Sequence, residues 1–345
     1  QFLTSSGIQT QLFSICIPSY NRPAEIRRLL NSIDTTHVDE VEIVICEDKS
    51  PKREEIRKQV LDFKSKTQYE VNYIENEENC GYDKNLRNLI RAAKGHFIIF
   101  MGDDDLFMPG AFDKFFDFAK EHSDCGYILR SYRNNFANGD HEDFRYYSED
   151  RVFPPCKETY IDLFGKSVFV SGFTIRRDCA LEFESEKFDS SLLYQMYLLA
   201  ETCYKYPAAY SRVIITQAIE GGTPFFGSSE SEKAIYTPGT ITIDNSINFM
   251  AWYIKLQDYI AKEHNDDSNK ILMLNQSKYS YPVLEIQRNK GIKVFREYAR
   301  RLKEMGYAQS FYFYIYYYAL IVLGAKNCRF IIKTLKHIIG HRPQL

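Results

Sequence analysis

The chain has eight cysteines in 345 residues, yet no two of them form a CxxC pair. That absence removes the local spacing of structural zinc sites and of dithiol redox motifs. Cys16 and Cys46 lie inside apolar, strand-like runs, where a cysteine behaves as a small buried hydrophobe. Reduced thiols in a cytosolic setting are therefore expected. Positive charge is not in excess either. Forty-four Lys and Arg against 46 Asp and Glu leave a net charge of −2, which draws the chain to no nucleic acid. No GxxxxGK[ST] sequence occurs and no GxGxxG follows the first strand-like run, so a bound phosphate has to be held by other means. There is no internal repeat. Residues 1–13 (QFLTSSGIQTQLF) lack a basic start and a long apolar core, so no secretory leader is expected from them. Tryptophan occurs once, against 26 tyrosines and 25 phenylalanines. Sugar sites, membrane interfaces and large cores all use aromatics in this way.

What is present is a clean alternation of strand and helix patterns. Phe13–Pro18, Val41–Cys46, Val71–Ile74 and Phe97–Met101 read as strands. Between them, apolar residues recur at helical spacing over 21–33, 51–63 and 84–93, and a fourth helix follows with Phe112, Phe115, Phe116 and Ala119 on one stripe. Such alternation predicts an α/β fold with a mainly parallel sheet and helices on both faces. Ligands of such sheets bind at the carboxyl ends of the strands. Polar clusters stand at those ends: Ser19-Tyr20-Asn21, Glu47-Asp48, residues 76–83, and Asp103-Asp104-Asp105. From about residue 122 the pattern loosens. Residues 168–176 and 212–218 read as strands, 192–204 as a helix, and 220–231 (EGGTPFFGSSES) as a loop that could act as a lid. Beyond residue 237 helical patterns dominate. Three regions are expected: 1–121 with the regular alternation, 122–236 with the looser pattern, and 237–345 as a helical region with a basic amphipathic tail.

Three adjacent aspartates at a strand end repel one another unless a cation neutralises them. Mg²⁺ or Mn²⁺ suits that task, because hard ions prefer oxygen ligands and Mg²⁺ takes only one or two carboxylates plus substrate phosphates. Asp103, Asp104 and Asp105 are the expected metal ligands.

The motifs SICIPSYNR, VICEDKS, NCGYDKNLRN and FMGDDDLFMPGAF, in this order and spacing, resemble the nucleotide-binding half of family 2 glycosyltransferases with the GT-A fold. The narrower likeness is to the abequosyltransferase-like branch, on GDDD, NxGxDxN and SGFTIRRD…FDSSL. The resemblance implies roles. Pro18, Tyr20 and Asn21 would line the nucleotide, with Tyr20 stacking on the base. Asp48 would bind base or ribose. Asn79, Gly81, Lys84 and Asn85 would line the ribose and diphosphate, and Lys84 or Arg87 would meet a phosphate. Asp103 and Asp104 would also touch the donor. The family's D-x-D-D has Gly102 at its first position here, so Asp104 and Asp105 match best and Asp103 stands in for the missing carboxylate. The family's Glu-Asp pair in the second half is absent. Asp189 is the candidate general base, with helix capping as its alternative, and Glu184, Glu186 and Asp178 rank behind it. Residues 171–177 (SGFTIRR), including Gly172 and Arg176, are expected to border the acceptor, with Arg176 or Arg177 available for an anionic group.

Residues 311–325 (FYFYIYYYALIVLGA) are too short for the ~20 apolar residues of a spanning helix. The tail after them sets Phe330, Ile331, Leu335 and Ile338 among Lys326, Arg329, Lys333 and Lys336, the signature of binding at an anionic membrane surface. The activity implied is an inverting, metal-dependent transfer of a sugar from a nucleotide diphosphate to a lipid-linked glycan acceptor in bacterial surface polysaccharide (O-antigen or capsule) synthesis, at the inner face of the plasma membrane. UDP is the commonest donor nucleotide, with CDP, GDP or dTDP allowed. A nucleotidyltransferase and a non-catalytic GT-A-like binding module remain as alternatives. The first would be expected to carry a glycine-rich basic loop that SYNRPAE lacks.

Overall fold

The computed structural model describes residues 2–3 and 9–339. The chain forms two compact units, residues 1–240 and 241–345. In the first unit, β1 (Phe13–Ser19), α1 (Pro23–Asn31), β2 (Val41–Glu47), α2 (Arg53–Lys66), β3 (Glu70–Glu75), α3 (Tyr82–Ala92) and β4 (Phe97–Phe100) follow the expected alternation. β5 (Leu106–Phe107), α4 (Phe112–Glu121), β6 (Tyr127–Asn135), β7 (His141–Phe144), β8 (Arg151–Phe153) and α5 (Lys157–Phe164) come next. β9 (Phe173–Arg176), α6 (Arg177–Glu182), α7 (Tyr194–Lys205) and β10 (Ala208–Ile219) complete it.

One ten-stranded sheet runs through the unit in the order β8-β10-β6-β9-β4-β1-β2-β3, with β5 on β10 and β7 on β6. β4, β1, β2 and β3 are mutually parallel. Every residue of β2 and β4 is buried, the sign of strands covered on both faces. Pro18 lies beyond Cys16↔Phe100, the last pair between β1 and β4, where a residue without an amide donor costs no ladder bond on that side. Phe13 anchors the core against Phe112, Phe115 and Phe116 of α4, at ring distances of 4.8–5.6 Å. Cys16 and Cys46 are buried as well, with Cys16 Sγ against the Leu89 carbonyl of α3 and Cys46 Sγ against Asn76 Oδ1.

β9 is antiparallel to both β4 and β6, so β6 points the same way as β4. β10 is parallel to β6. The carboxyl ends of β1, β2, β3, β4, β6 and β10 therefore meet one edge of the sheet, together with the amino end of β9. That polarity decides where every candidate side chain lies.

The second unit consists of α8 (Ile243–Glu263), α9 (Ser268–Lys278), α10 (Tyr281–Asn289), α11 (Ile292–Glu304), α12 (Phe311–Val322) and α13 (Gly324–Ile339). No helix among the described residues is long and apolar enough to cross a membrane. Phe311, Ile315, Tyr318 and Val322 form one exposed stripe of α12, with 75%, 43%, 61% and 78% exposure, while Phe313 and Leu320 on the other side are buried. Arg329 of the basic tail pairs with Glu285 of α10, an acidic partner outside the tail. Residues 340–345 and the side chains of Lys333, Leu335, Lys336 and Ile338 lie outside the described residues.

Asp83 joins α3 to α7. Its carboxylate accepts from the Leu192 and Tyr194 amides, both at 2.9 Å, while Ser191 Oγ takes the Leu193 amide between them. Leu192 (φ 65°) and Ser190 (φ 66°) are held in the left-handed region within this turn, a conformation that a bulky residue adopts only when its surroundings impose it. Asp83→Ala would strand two buried amides. The expected loss is about 2–4 kcal/mol of folding stability, read from urea unfolding. An unchanged urea midpoint would show that the tether is not used.

Candidate functional site

The acidic turn follows β4 directly, and the Asp105 amide closes it by donating to the Gly102 carbonyl at 3.0 Å. The three carboxylates take separate partners. Asp103 is buried and accepts from Arg22 Nη1 (2.8 Å) and the Tyr20 amide (3.0 Å). Asp104, partly exposed, meets Arg22 Nη2 at 3.1 Å. Asp105 is buried and accepts from Ser171 Oγ at 2.5 Å. Burial pushes both Asp103 and Asp105 up to about 7. Burial also works against the Arg22 charge, but Asp103 and Asp104 outweigh it and leave its pKa raised.

The repulsion in the triplet is therefore relieved first by a protein cation, Arg22 of the SYNR turn. Asp103, expected as a metal ligand with Asp104 and Asp105, is engaged here by Arg22 and the Tyr20 amide. Among the described residues, no three His, Cys, Asp or Glu side chains are grouped so as to hold a metal between them. Two carboxylates do converge. A Cβ on Gly102 would lie 3.0 Å from Asp105 Oδ2 and 3.2 Å from Asp104 Oδ1. The missing side chain thus leaves a hollow flanked by two carboxylate oxygens. That donor set suits Mg²⁺ or Mn²⁺, with remaining positions left for water or phosphate.

A second polar group gathers at the ends of β2 and β3. Asp48 accepts from Asn76 Nδ2 (2.8 Å), the Cys80 amide (2.8 Å) and the Gly81 amide (2.9 Å). Burial moves it up to about 6. Asn85 accepts from Asn76 and donates to the Cys46 carbonyl, and Asn79 Oδ1 receives the Gly81 amide at 3.2 Å. Glu47 is tied to Arg53 and to the Lys49 and Ser50 amides. These side chains build the turn that presents Gly81, whose φ of 80° suits glycine. Lys84 stands in solvent beside Glu78. Arg87 is not available to a phosphate as expected: it is buried and its two terminal nitrogens hold the oxygens of Asp189. Asp189 caps no helix, because Asp83 does that work, and it remains about a third exposed (32%).

Gly172 lies at the carboxyl edge just before β9. Arg176 does not. It pairs in register with Phe97, the first residue of β4, and so sits at the opposite end of the sheet, bound to Asp178 and the Asp124 carbonyl. The antiparallel direction of β9 separates the two, and this overturns Arg176 as an acceptor residue.

The loop 220–236 closes over both polar groups. The Thr223 carbonyl accepts from Arg22 Nη2 at 2.6 Å. Phe225 lies against Tyr20 (5.7 Å between rings) and under the Arg22 guanidinium (5.0 Å). Gly222 passes so near Asp104 that a Cβ there would come within 2.7 Å of Oδ2. Glu232, buried, accepts from the Tyr82 amide at the start of α3 and from the Gly227 amide, both at 2.8 Å. Asn21, with φ of 59°, supplies the sharp turn that aims Arg22. Arg22, Phe225 and Glu232 were not foreseen as site residues, and Ser171 was foreseen only as part of the stretch 171–177 bordering the acceptor. Only the Arg of SYNR, one position past the Asn21 turn, carried a sequence signal.

The family model described as "Glycosyl transferase family 2" matches residues 14–178. A protein of Haemophilus influenzae named as an uncharacterized glycosyltransferase is 28% identical over 138 residues, which is 40% of this chain and 44% of that protein. The abequosyltransferase RfbV of Salmonella typhimurium is 29% identical over 94 residues, 27% of this chain and 28% of its own length. The chain thus matches less than half the length of either relative. Among solved structures, S. aureus TarS 1–349 in complex with UDP-GlcNAc superposes with a TM-score of 0.60 over 97% of this chain and 93% of that one, at 14% identity. At that identity the likeness concerns the fold, which is GT-A.

Arg22→Met removes the cation that joins the acidic turn to the Thr223 carbonyl. With a charge-assisted hydrogen bond lost, chymotryptic cleavage at Phe225 and Phe226 is expected to run roughly tenfold faster than in the parent chain. Equal cleavage rates would show that Arg22 does not hold the loop.

Proposed function

We propose, from the match of residues 14–178 to the glycosyl transferase family 2 model, that the chain transfers a sugar from a nucleotide diphosphate donor to a glycan acceptor. The observation that carries this reading is the pair of carboxylate oxygens flanking Gly102 at the end of β4. Asp104 and Asp105 would hold Mg²⁺ or Mn²⁺, which supplies charge neutralisation for the departing diphosphate. Asp103 serves the site by fixing Arg22 and the Tyr20 backbone. Tyr20 offers an aromatic face for the base once Phe225 leaves it. Pro18, Asn21, Asp48, Asn79, Gly81, Lys84 and Asn85 shape the walls of the donor site at the ends of β1, β2 and β3. UDP is the first nucleotide to test, since the GT-A neighbour TarS holds UDP-GlcNAc, while the likeness to an abequosyltransferase keeps CDP-, GDP- and dTDP-linked sugars in the screen.

In the proposed reaction an acceptor hydroxyl attacks the anomeric carbon from the face opposite the diphosphate, which inverts its configuration. A carboxylate must take the hydroxyl proton. Asp189 is assigned that task because it is partly exposed and its orientation is fixed by buried Arg87. Gly172, at the same edge, borders the acceptor. The acceptor is proposed to be a lipid-linked glycan of bacterial surface polysaccharide synthesis. The exposed stripe Phe311, Ile315, Tyr318 and Val322, followed by Lys326, supports peripheral seating of the second unit on an anionic membrane at its inner face.

Calorimetry with UDP and Mn²⁺ is expected to show tight, metal-dependent binding that Asp104→Ala abolishes. Asp189→Asn should keep that binding while turnover, measured by mass spectrometry of the product, falls roughly 10²–10⁴-fold. Metal-dependent binding without any sugar transfer across the donor screen would favour the binding-module reading instead. For the membrane, the chain is expected to sediment with vesicles containing phosphatidylglycerol, and Phe311→Glu with Val322→Glu should leave it in the supernatant. Sedimentation unaffected by those changes would refute the stripe.

A further inference from the structure

Arg130 of β6 is fully buried and has no carboxylate partner among its hydrogen bonds. Its Nη2 donates to the Ser171 and Phe173 carbonyls, both at 2.9 Å; its Nη1 donates to Thr216 Oγ1 at 2.8 Å and its Nε to Thr174 Oγ1 at 3.1 Å. Thr216 of β10 in turn donates to the same Ser171 carbonyl at 2.9 Å. Burial lowers the Arg130 pKa to about 9, so the guanidinium is kept at an electrostatic cost that its fourfold bonding offsets.

Two of these bonds, from Arg130 Nη2 and Thr216 Oγ1, converge on the Ser171 carbonyl. The Ser171 hydroxyl donates to Asp105 Oδ2 at 2.5 Å and accepts the Gly102 amide at 2.8 Å. It therefore touches both the backbone and the carboxylate of the acidic turn. Ser171 is fully buried and lies at the amino end of β9, in the second half of the sheet. Arg130 on β6 and Thr216 on β10 fix its carbonyl from one side, and its side chain fixes the turn from the other.

We propose that Ser171 is a positioning residue, clamped by Arg130 and Thr216, that sets the orientation of Asp105 and the peptide of Gly102 for gripping the donor's metal-bound diphosphate. The proposal rests on the metal reading above. A serine hydroxyl fits the task because one rotor can donate to the carboxylate while accepting from the amide. A loosely held carboxylate would bind an ion less tightly, since ion affinity depends on ligands held in place before binding.

The test uses the full chain and Mn²⁺ as the probe, with affinity read by electron paramagnetic resonance in the presence of UDP. Ser171→Ala is expected to weaken Mn²⁺ binding about tenfold or more, the loss of a hydrogen bond to a charged group. Ser171→Thr, which retains the hydroxyl, should recover most of it. Thr216→Val changes no residue of the acidic turn and removes the Thr216 bond to the Ser171 carbonyl together with the hydroxyl that receives Arg130 Nη1; it should weaken Mn²⁺ binding several-fold. A purely structural role would lower stability without moving Mn²⁺ affinity. A parent chain that binds no Mn²⁺ overturns the metal reading and this assignment together. A parent chain that binds Mn²⁺, with Ser171→Ala and Thr216→Val binding it equally well, overturns the Ser171 assignment alone. Should Ser171→Ala fail to fold, the Thr216→Val result decides.

Discussion

Repulsion among carboxylates crowded onto one edge of a sheet is the constraint from which the rest of this site follows. Asp48, Asp83, Asp103, Asp105 and Glu232 are each buried, and each carries at least one backbone amide, side-chain donor or cation as partner. An unpartnered buried carboxylate would simply protonate. The partners come from segments distant in sequence: the β1 turn for Asp103, the segment before β9 for Asp105, the α7 terminus for Asp83, and the start of α3 for Glu232. Neutralising the edge is therefore also what fixes these segments against one another.

Two cations do unlike work in that arrangement. Arg22 bridges Asp103 and Asp104 at a partly solvated edge, where a guanidinium fork can serve two carboxylates and a carbonyl at once. Arg130 lies wholly inside and bonds only neutral groups, so it stiffens the second half of the sheet without lowering the charge of the acidic turn. The acidic turn is thus held electrostatically from the side of β1 and by neutral hydrogen bonds from the side of β9. Asp104, paired with Arg22 and lying beside Gly222 of the loop, is the most exposed of the three.

The alternation of β1 to α4 was legible because it is local: strand runs of four to seven residues and helices with clear apolar stripes fix their own type, and parallel order places their carboxyl ends together. That Asp103–Asp105 need compensating partners was legible for the same reason, since three charges after an apolar strand contradict their surroundings. What sequence could not give was pairing at a distance. Arg176 looked near Gly172 because only three residues separate them, but β9 runs antiparallel and an extended strand carries the two to opposite ends. Arg87 looked like a phosphate ligand until Asp189, far along the chain, proved to occupy it. Glu232 carries no local signal at all, and the stretch holding Ser171 was read for the acceptor and not for the acidic turn: each is an ordinary polar residue made special by what folds against it.

The loop 220–236 shows how the same charges bear on ligand entry. Its carbonyl at Thr223 occupies Arg22, its ring at Phe225 covers Tyr20, and its carboxylate at Glu232 takes the Tyr82 amide. A nucleoside diphosphate offers chemical counterparts for all three, namely phosphate oxygens for the guanidinium, a base for the tyrosine ring and an anion for the helix start. A ligand that engages these groups has to displace partners that already satisfy them, so only the difference between the two sets of contacts appears as affinity. Inorganic phosphate or a bare nucleoside replaces one of these partners and leaves the others in place. A ligand carrying both base and diphosphate replaces several at once, and it is this simultaneous exchange, more than any single strong contact, that would make the closed loop selective.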